Sequence, residues 1–245
     1  MPATNGGKAS SPFVLGVDGC RAGWVCVRRP LKGGAASVSV WPSFQTLFDG
    51  PGRLAVSIMV DIPIGLVDEG RRGCESLARK ALSPKRHSSV FPTPLRGMLD
   101  ARTYEEANAF GKARGAGLPK QTWFILDKIR EVDAAISKHD QTRLSEGHPE
   151  VAFSRLNKGA PCDHPKKTAL GFAERLRLLQ ENGLRNGERL CDQARAIAGA
   201  KGVAKDDVLD ACVLAIAAKA RLSDEAIRFS DDARDARGLL MEIWG

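Results

Sequence analysis

Gly16-Val17-Asp18-Gly19-Cys20-Arg21-Ala22-Gly23-Trp24-Val25 decides how the rest of the chain is read. Phe13–Val17 is a short apolar run that ends on Asp18, Gly19 and Gly23 flank a turn, and Trp24–Val27 resumes a β-prone run. Downstream, Ala36–Trp41 alternates Val38 and Val40 with Ser37 and Ser39. Strand, turn and strand at this spacing predict a three-stranded meander. Phe44–Phe48 suits a short helix or turn. Leu54–Val60 is then a Val/Ile-rich run without alternation, the pattern of a strand buried on both faces, and Asp61-Ile62-Pro63 and Gly65 end it.

The middle of the chain is helical. Apolar and small residues recur at helical spacing over Glu69–Ala81, Tyr104–Lys112 and Gln121–Ser137. The loops between them, Ser83–Arg96 and Gly111–Lys120, carry prolines and glycines that stiffen or turn them. Arg143–Glu146 followed by Val151–Leu156 predicts one more short strand and its exit. Lys166–Glu181 and Lys205–Arg221 are further helices, the second with an Ala-rich stripe that implies close packing, and Leu239–Trp244 is a closing strand. The expected fold class is α/β: one domain over residues 12–245, with a helical insertion at about 66–140 and a disordered tail at 1–11.

Composition narrows the functional classes. The chain has 245 residues, 43% of them hydrophobic and 27% charged, enough to bury a core and inconsistent with general disorder. Met1 to Ser11 lacks the apolar core of a secretory signal. Val208–Ala218, the longest nearly apolar run, is too short and too charged to span a bilayer, because Asp210 interrupts it. Cys20, Cys26, Cys74, Cys162, Cys191 and Cys212 form no CxxC pair, which argues against zinc and for reduced thiols in a cytoplasmic protein. The net charge of +8 favours an anionic partner, but it is uneven. Residues 71–96 hold seven Lys/Arg against the single acid Glu75, whereas residues 201–245 hold seven against nine acids.

The acids fall where a metal site would want them. Asp18 ends the first strand and Asp61 the fourth, Glu146 and Glu150 flank His148 after the fifth, and Asp206, Asp207 and Asp210 open the Ala-rich helix. Asp18 and Asp61 could equally be turn formers. Asp206 suits an N-cap and Asp207 the positive end of the helix dipole. Asp210 fits a bland role less well, because Leu209 and Ala211 flank it and a buried carboxylate is costly without a cation or an Arg. Hard ions such as Mg²⁺ or Mn²⁺ take several carboxylate oxygens plus water. Two such ions roughly 4 Å apart can drive phosphodiester cleavage.

Seven strings, in order, carry a resemblance: GVDGCRAGWV (16–25), VDIPIGL (60–66), RHSSVFPTPLR (86–96), QTWFILDKIREVD (121–133), EGHPEVAF (146–153), KKTALGFAERLRLL (166–179) and DDVLDACVLA (206–215). Together they resemble the family called domain of unknown function 429, a group predicted to hold nucleases of the RNase H fold. The resemblance implies a five-stranded mixed sheet of order 3-2-1-4-5 with flanking helices. It makes Asp18 the acid of the first strand and Asp61 the acid of the fourth. Asp207 and Asp210 match the Asp-x-x-Asp-Ala pattern of the last helix in RuvC-type resolvases. Glu146 and Glu150 have no clear RNase H counterpart, and the helical insertion is no part of the minimal fold.

The leading expectation is therefore a divalent-metal-dependent nuclease or other phosphoester hydrolase. Asp18, Asp61, Asp207, Asp210 and Glu146 would bind Mg²⁺ or Mn²⁺, with Glu150 and His148 assisting catalysis. Arg21, Arg86, Ser88, Ser89 and Lys128 are candidates for holding a nucleic acid or another phosphate-bearing anion, because bases, hydroxyls and amides in a stiff loop can grip phosphate. A solvated basic loop and a structural histidine are the plainer readings of the same residues. Two alternatives stay open. One is another phosphoryl transfer, as in the sugar kinases and actin-like ATPases that share the core. The other is a non-catalytic, small-anion-binding member whose SSVFP loop and insertion close over the acidic end of the sheet. Few aromatics and only one tyrosine, Tyr104, argue against a stacking platform for single strands.

Overall fold

The computed structural model describes residues 11–115 and 117–245. The expected disordered tail therefore falls almost wholly outside the described residues. The chain starts with β1 (Phe13–Cys20), β2 (Gly23–Pro30) and β3 (Ser37–Trp41), joined as an antiparallel meander. After α1 (Phe44–Asp49), β4 (Ser57–Val60) returns parallel to β1. The segment that follows is helical as expected: α2 (Gly73–Ala81), α3 (Tyr104–Lys112), α4 (Lys120–Phe124) and α5 (Leu126–Ala135). Gln121–Ser137 is thus two helices, which part at Ile125, whose N–H turns back to the Thr122 carbonyl at 3.3 Å.

β5 (Leu144–Glu146) pairs parallel with β4 and completes a sheet of order β3-β2-β1-β4-β5, mixed in direction and RNase H-like. The exit from β5 is a helix, α6 (Pro149–Leu156), with Pro149 in its first turn, where a missing N–H costs nothing. Three more helices follow, α7 (Ala169–Glu181), α8 (Gly187–Ala198) and α9 (Lys205–Arg221). The chain closes as a hairpin of β6 (Arg228–Arg234) and β7 (Leu240–Trp244). No helix of the described residues is long and apolar enough to cross a membrane.

Alternation along the strands builds two cores. Val14, Val25, Val27 and Met59 face α9 and the helices beside it. Leu15, Val17, Trp24, Ile58 and Val60 face α1 and α5. Each such side chain, fully buried, contributes about 1.5–3 kcal/mol. One glycine sets the geometry that matters for the site. A Cβ on Gly16 would lie 2.1 Å from the Ala211 carbonyl and 2.2 Å from the Ala215 N–H, so α9 rests directly on β1. The Ala stripe and Gly16 together bring the first turns of α9 against the end of β1. Asp210, one position before Ala211, is therefore carried to the same edge as Asp18.

Candidate metal centre and its cavity

Parallel pairing decides where the strand-end acids meet. Val17 of β1 lies beside Val60 of β4, so the next residues, Asp18 still within β1 and Asp61 just past β4, stand side by side at the carboxyl edge of that pairing, and β1 runs on to Cys20 rather than ending at Asp18. This edge is where α/β sheets place their ligands. Asp210 comes over from α9, and oxygens of Asp18, Asp61 and Asp210 lie within 4.8 Å of one another. Asp18 and Asp210 are buried and Asp61 is half-buried. Of the three, Asp210 accepts a hydrogen bond from a described side chain, Lys166, whose Nζ lies 2.7 Å away. The same ammonium is 3.6 Å from Asp206.

The electrostatics follow from three acids sharing one cation. Burial pushes the Asp18 carboxyl well above its usual range, and Asp61, Asp210 and Asp207 add to the rise. Burial, then Asp210, pushes Asp61 up to about 8. Asp210 is raised by burial against the pull of Lys166. Burial alone would lower the Lys166 ammonium, but Asp210 and Asp18 outweigh it and hold it above its ordinary value. A cluster of this kind wants additional positive charge. Three carboxylate oxygens at this spacing suit a hard divalent cation, which takes oxygen ligands and keeps some water. The triad can hold a metal ion.

The triad opens into a cavity of about 260 Å³. His148 and Glu150 are on its wall. His148 Nε2 lies 3.3 Å from the Ser89 carbonyl, whereas its buried Nδ1 has no partner among the described residues. Burial lowers the imidazole's pKa, so it is neutral at neutral pH. Glu150 Oε1 accepts from Arg175 at 2.6 Å, and its buried Oε2 has no hydrogen-bond donor among the described residues, with Arg86 Nε 4.0 Å away. Buried polar atoms are rarely left without partners unless water, an ion or a ligand supplies one.

Other expected site residues are placed differently. Asp207 Oδ2 accepts from the Ala204 N–H at 3.0 Å and so caps α9, and burial raises its carboxyl to about 6. Glu146 grips Arg72 through both oxygens, at 2.6 and 2.8 Å, and accepts the Ile64 N–H at 2.7 Å. Lys128 lines the cavity but donates to the Gly23 carbonyl at 2.6 Å and lies 4.5 Å above the Trp24 ring. Arg86 donates to the Cys162 carbonyl at 3.1 Å. Ser89 is on the wall through its backbone, its hydroxyl donating to the Arg86 carbonyl, whereas Arg21 and Ser88 are exposed and off the wall.

The basic stretch 71–96 is also spent largely on the protein itself. Arg72, Arg79, Lys85, Arg86 and Arg96 all donate to protein oxygens. The residues that sequence reasoning passed over are the cations Lys166, Arg72 and Arg175. Buried Glu146, Glu150 and Asp210 each demand a partner, but nothing in the sequence says which base answers.

A mixed sheet of this order, with an acidic triad at its carboxyl edge, defines an RNase H-like α/β chain with a candidate metal centre. The chain belongs to the family described as protein of unknown function DUF429, whose model matches residues 16–235. No curated protein and no solved structure matches the chain.

Proposed function

We propose that this chain is a divalent-metal-dependent phosphoester hydrolase of the nuclease type, using Mg²⁺ or Mn²⁺. One observation carries the reading. Three carboxylates from three separate parts of the chain meet within 4.8 Å, against a single compensating lysine among the described residues. A bound divalent ion supplies Lewis acidity and an activated water. Asp18, Asp61 and Asp210 would hold the ion, with Lys166 keeping Asp210 oriented. His148, on the wall of the same cavity, is the base assigned to take the proton of the attacking water. The water oxygen bonds to phosphorus, the ester P–O bond breaks, and the leaving oxygen departs with a proton. The partner is a nucleic acid or another phosphate-bearing anion. Six free, buried cysteines support a reducing, cytoplasmic setting.

The test is Mn²⁺ titration calorimetry together with cleavage assays on RNA, DNA, hybrid and branched substrates. Mn²⁺ binding and cleavage are both expected to disappear in Asp18→Asn and Asp210→Asn. Cleavage that survives both substitutions, or none in the unaltered chain, refutes the reading. The small size of the cavity favours a second one, a small-anion-binding protein without turnover. Saturable phosphate-ester binding with no hydrolysis in the presence of Mn²⁺ would establish it.

A further inference from the structure

The roof of the cavity bears on what can enter. Ser89–Thr93 runs across the acidic edge and is tied down at several points. Arg79 Nη1 donates to the Val90 carbonyl at 2.8 Å and Thr122 Oγ1 to the Pro92 carbonyl at 2.9 Å. The Thr93 N–H donates to Glu75 Oε1 at 3.2 Å, and the Thr93 hydroxyl donates to the same oxygen. Glu75 is itself held by Arg72 at 2.9 Å, and Arg72 by Glu146. The roof is thus linked through buried charges to the end of β5. A segment with this many internal bonds is a fixed wall rather than a swinging flap.

Beneath it, the cavity of about 260 Å³ falls just below the usual range of ligand pockets, which starts near 300 Å³. Its wall is of two kinds. The floor holds the triad and Lys166, and Pro63, Val90, Phe91, Pro92 and Ile125 make an apolar side. A polymer site would need a basic groove that tracks phosphates on either side of the scissile bond. The Lys and Arg side chains on the wall are already engaged, Arg72 and Lys128 with protein oxygens and Lys166 with Asp210.

From this we infer, resting on the hydrolase reading above, that the substrate is a small phosphoester of nucleotide size. Its phosphate would lie on the acidic floor and one planar, apolar group against the Val90–Pro92 side. The internal phosphodiester of a long strand would be excluded by the roof. Water adds its oxygen to phosphorus, the P–O bond to the organic group breaks, and that group leaves as the alcohol or phenol carrying a proton.

The experiment offers the full chain, with Mn²⁺, two kinds of diester of the same chemistry. One is thymidine 5′-(4-nitrophenyl phosphate); the other is single-stranded DNA, as a covalently closed circle and as a linear strand. Release of 4-nitrophenolate with the circle intact is expected. Nicking of the circle at a comparable rate per bond, or trimming of a linear strand from its end, overturns the substrate class and leaves the hydrolase reading standing. Mn²⁺ binding with neither diester cleaved refutes both. Phe91 is 41% exposed, so Phe91→Ala is expected to fold. It should raise KM for the nitrophenyl ester about tenfold, as loss of one aromatic contact does, with Mn²⁺ affinity unchanged. An unchanged KM overturns the assignment of the apolar side.

Discussion

Two groups of buried acids stand at the same edge of the sheet and are treated in opposite ways. At β5, Glu146 and the neighbouring Glu75 are satisfied by Arg72, by the N–H groups of Ile64 and Thr93, and by the Thr93 hydroxyl. At β1 and β4, Asp18 and Asp61 face each other and Asp210, with Lys166 the one ammonium in contact among the described residues. Buried charges survive folding when they are paired and hydrogen-bonded, and are costly when they are not. The first group therefore holds structure together. The second stores repulsion that a cation would relieve, which is how a binding site differs from a brace.

Substitutions can break that contrast. Arg72→Met strands two carboxylates in the interior and should cost about 3–5 kcal/mol, read by urea unfolding. Arg72→Met combined with Glu146→Gln should recover part of the loss. If Arg72→Met is neutral, the brace is not one. Asp61→Asn should move stability in the opposite direction. The folded chain disfavours the ionised Asp61, and Asn has no charged form to disfavour, so the metal-free chain gains about 1 kcal/mol at neutral pH, or roughly 2–4 °C in Tm at this size. The same substitution should weaken Mn²⁺ binding at least tenfold, read by calorimetry. A destabilised metal-free Asp61→Asn would mean that the triad is a structural network.

The pH response sharpens the comparison without mutation. Asp61 has its folded pKa raised to about 8 and Asp207 to about 6, from ordinary values near 3.8. A raised carboxyl binds its proton more tightly in the folded chain. Its contribution to stability is complete below the unfolded value and is lost as pH rises through the folded one. The Tm of the chain in chelator should therefore fall between about pH 4 and pH 8. Mn²⁺, which takes the proton's place, should flatten that fall and bind more tightly toward pH 8. A Tm that climbs over the same window would refute the raised values.

The fold was legible because its deciding features are local. An apolar run ending in Asp18, a glycine turn and a second run define the meander. An unalternated Val/Ile run defines the buried β4, and its Asp61 follows by position. Asp210 stood out as a lone acid between apolar neighbours. What sequence could not supply was the choice between equivalent neighbours. Arg71 and Arg72 are adjacent, yet one is exposed and the other is buried against Glu146. Lys166 and Lys167 differ only in which of them reaches Asp210. β6 was missed because Phe229-Ser230-Asp231-Asp232 is acidic and bulged, with Asp232 at φ 57, the opposite of a β-prone run. α8 was missed because its few buried residues, Leu190, Cys191 and Ala194, are interleaved with charges.

The smallest expected effect tests the finest distinction. Asp207 and Asp210 share a helix face, and spacing alone makes both of them ligands. The structure gives Asp207 to the Ala204 N–H, leaving the triad to Asp210. Asp207→Ala should then cost about 1 kcal/mol, the usual loss of a helix cap, and change Mn²⁺ affinity by no more than about threefold. Asp207→Asn, whose amide oxygen can still accept that N–H, should restore most of the stability. A Mn²⁺ affinity that falls as far in Asp207→Asn as in Asp61→Asn would instead make Asp207 a ligand. Its side chain would then have to leave the cap when the ion binds, and the first turn of α9 would be the part of the site that moves.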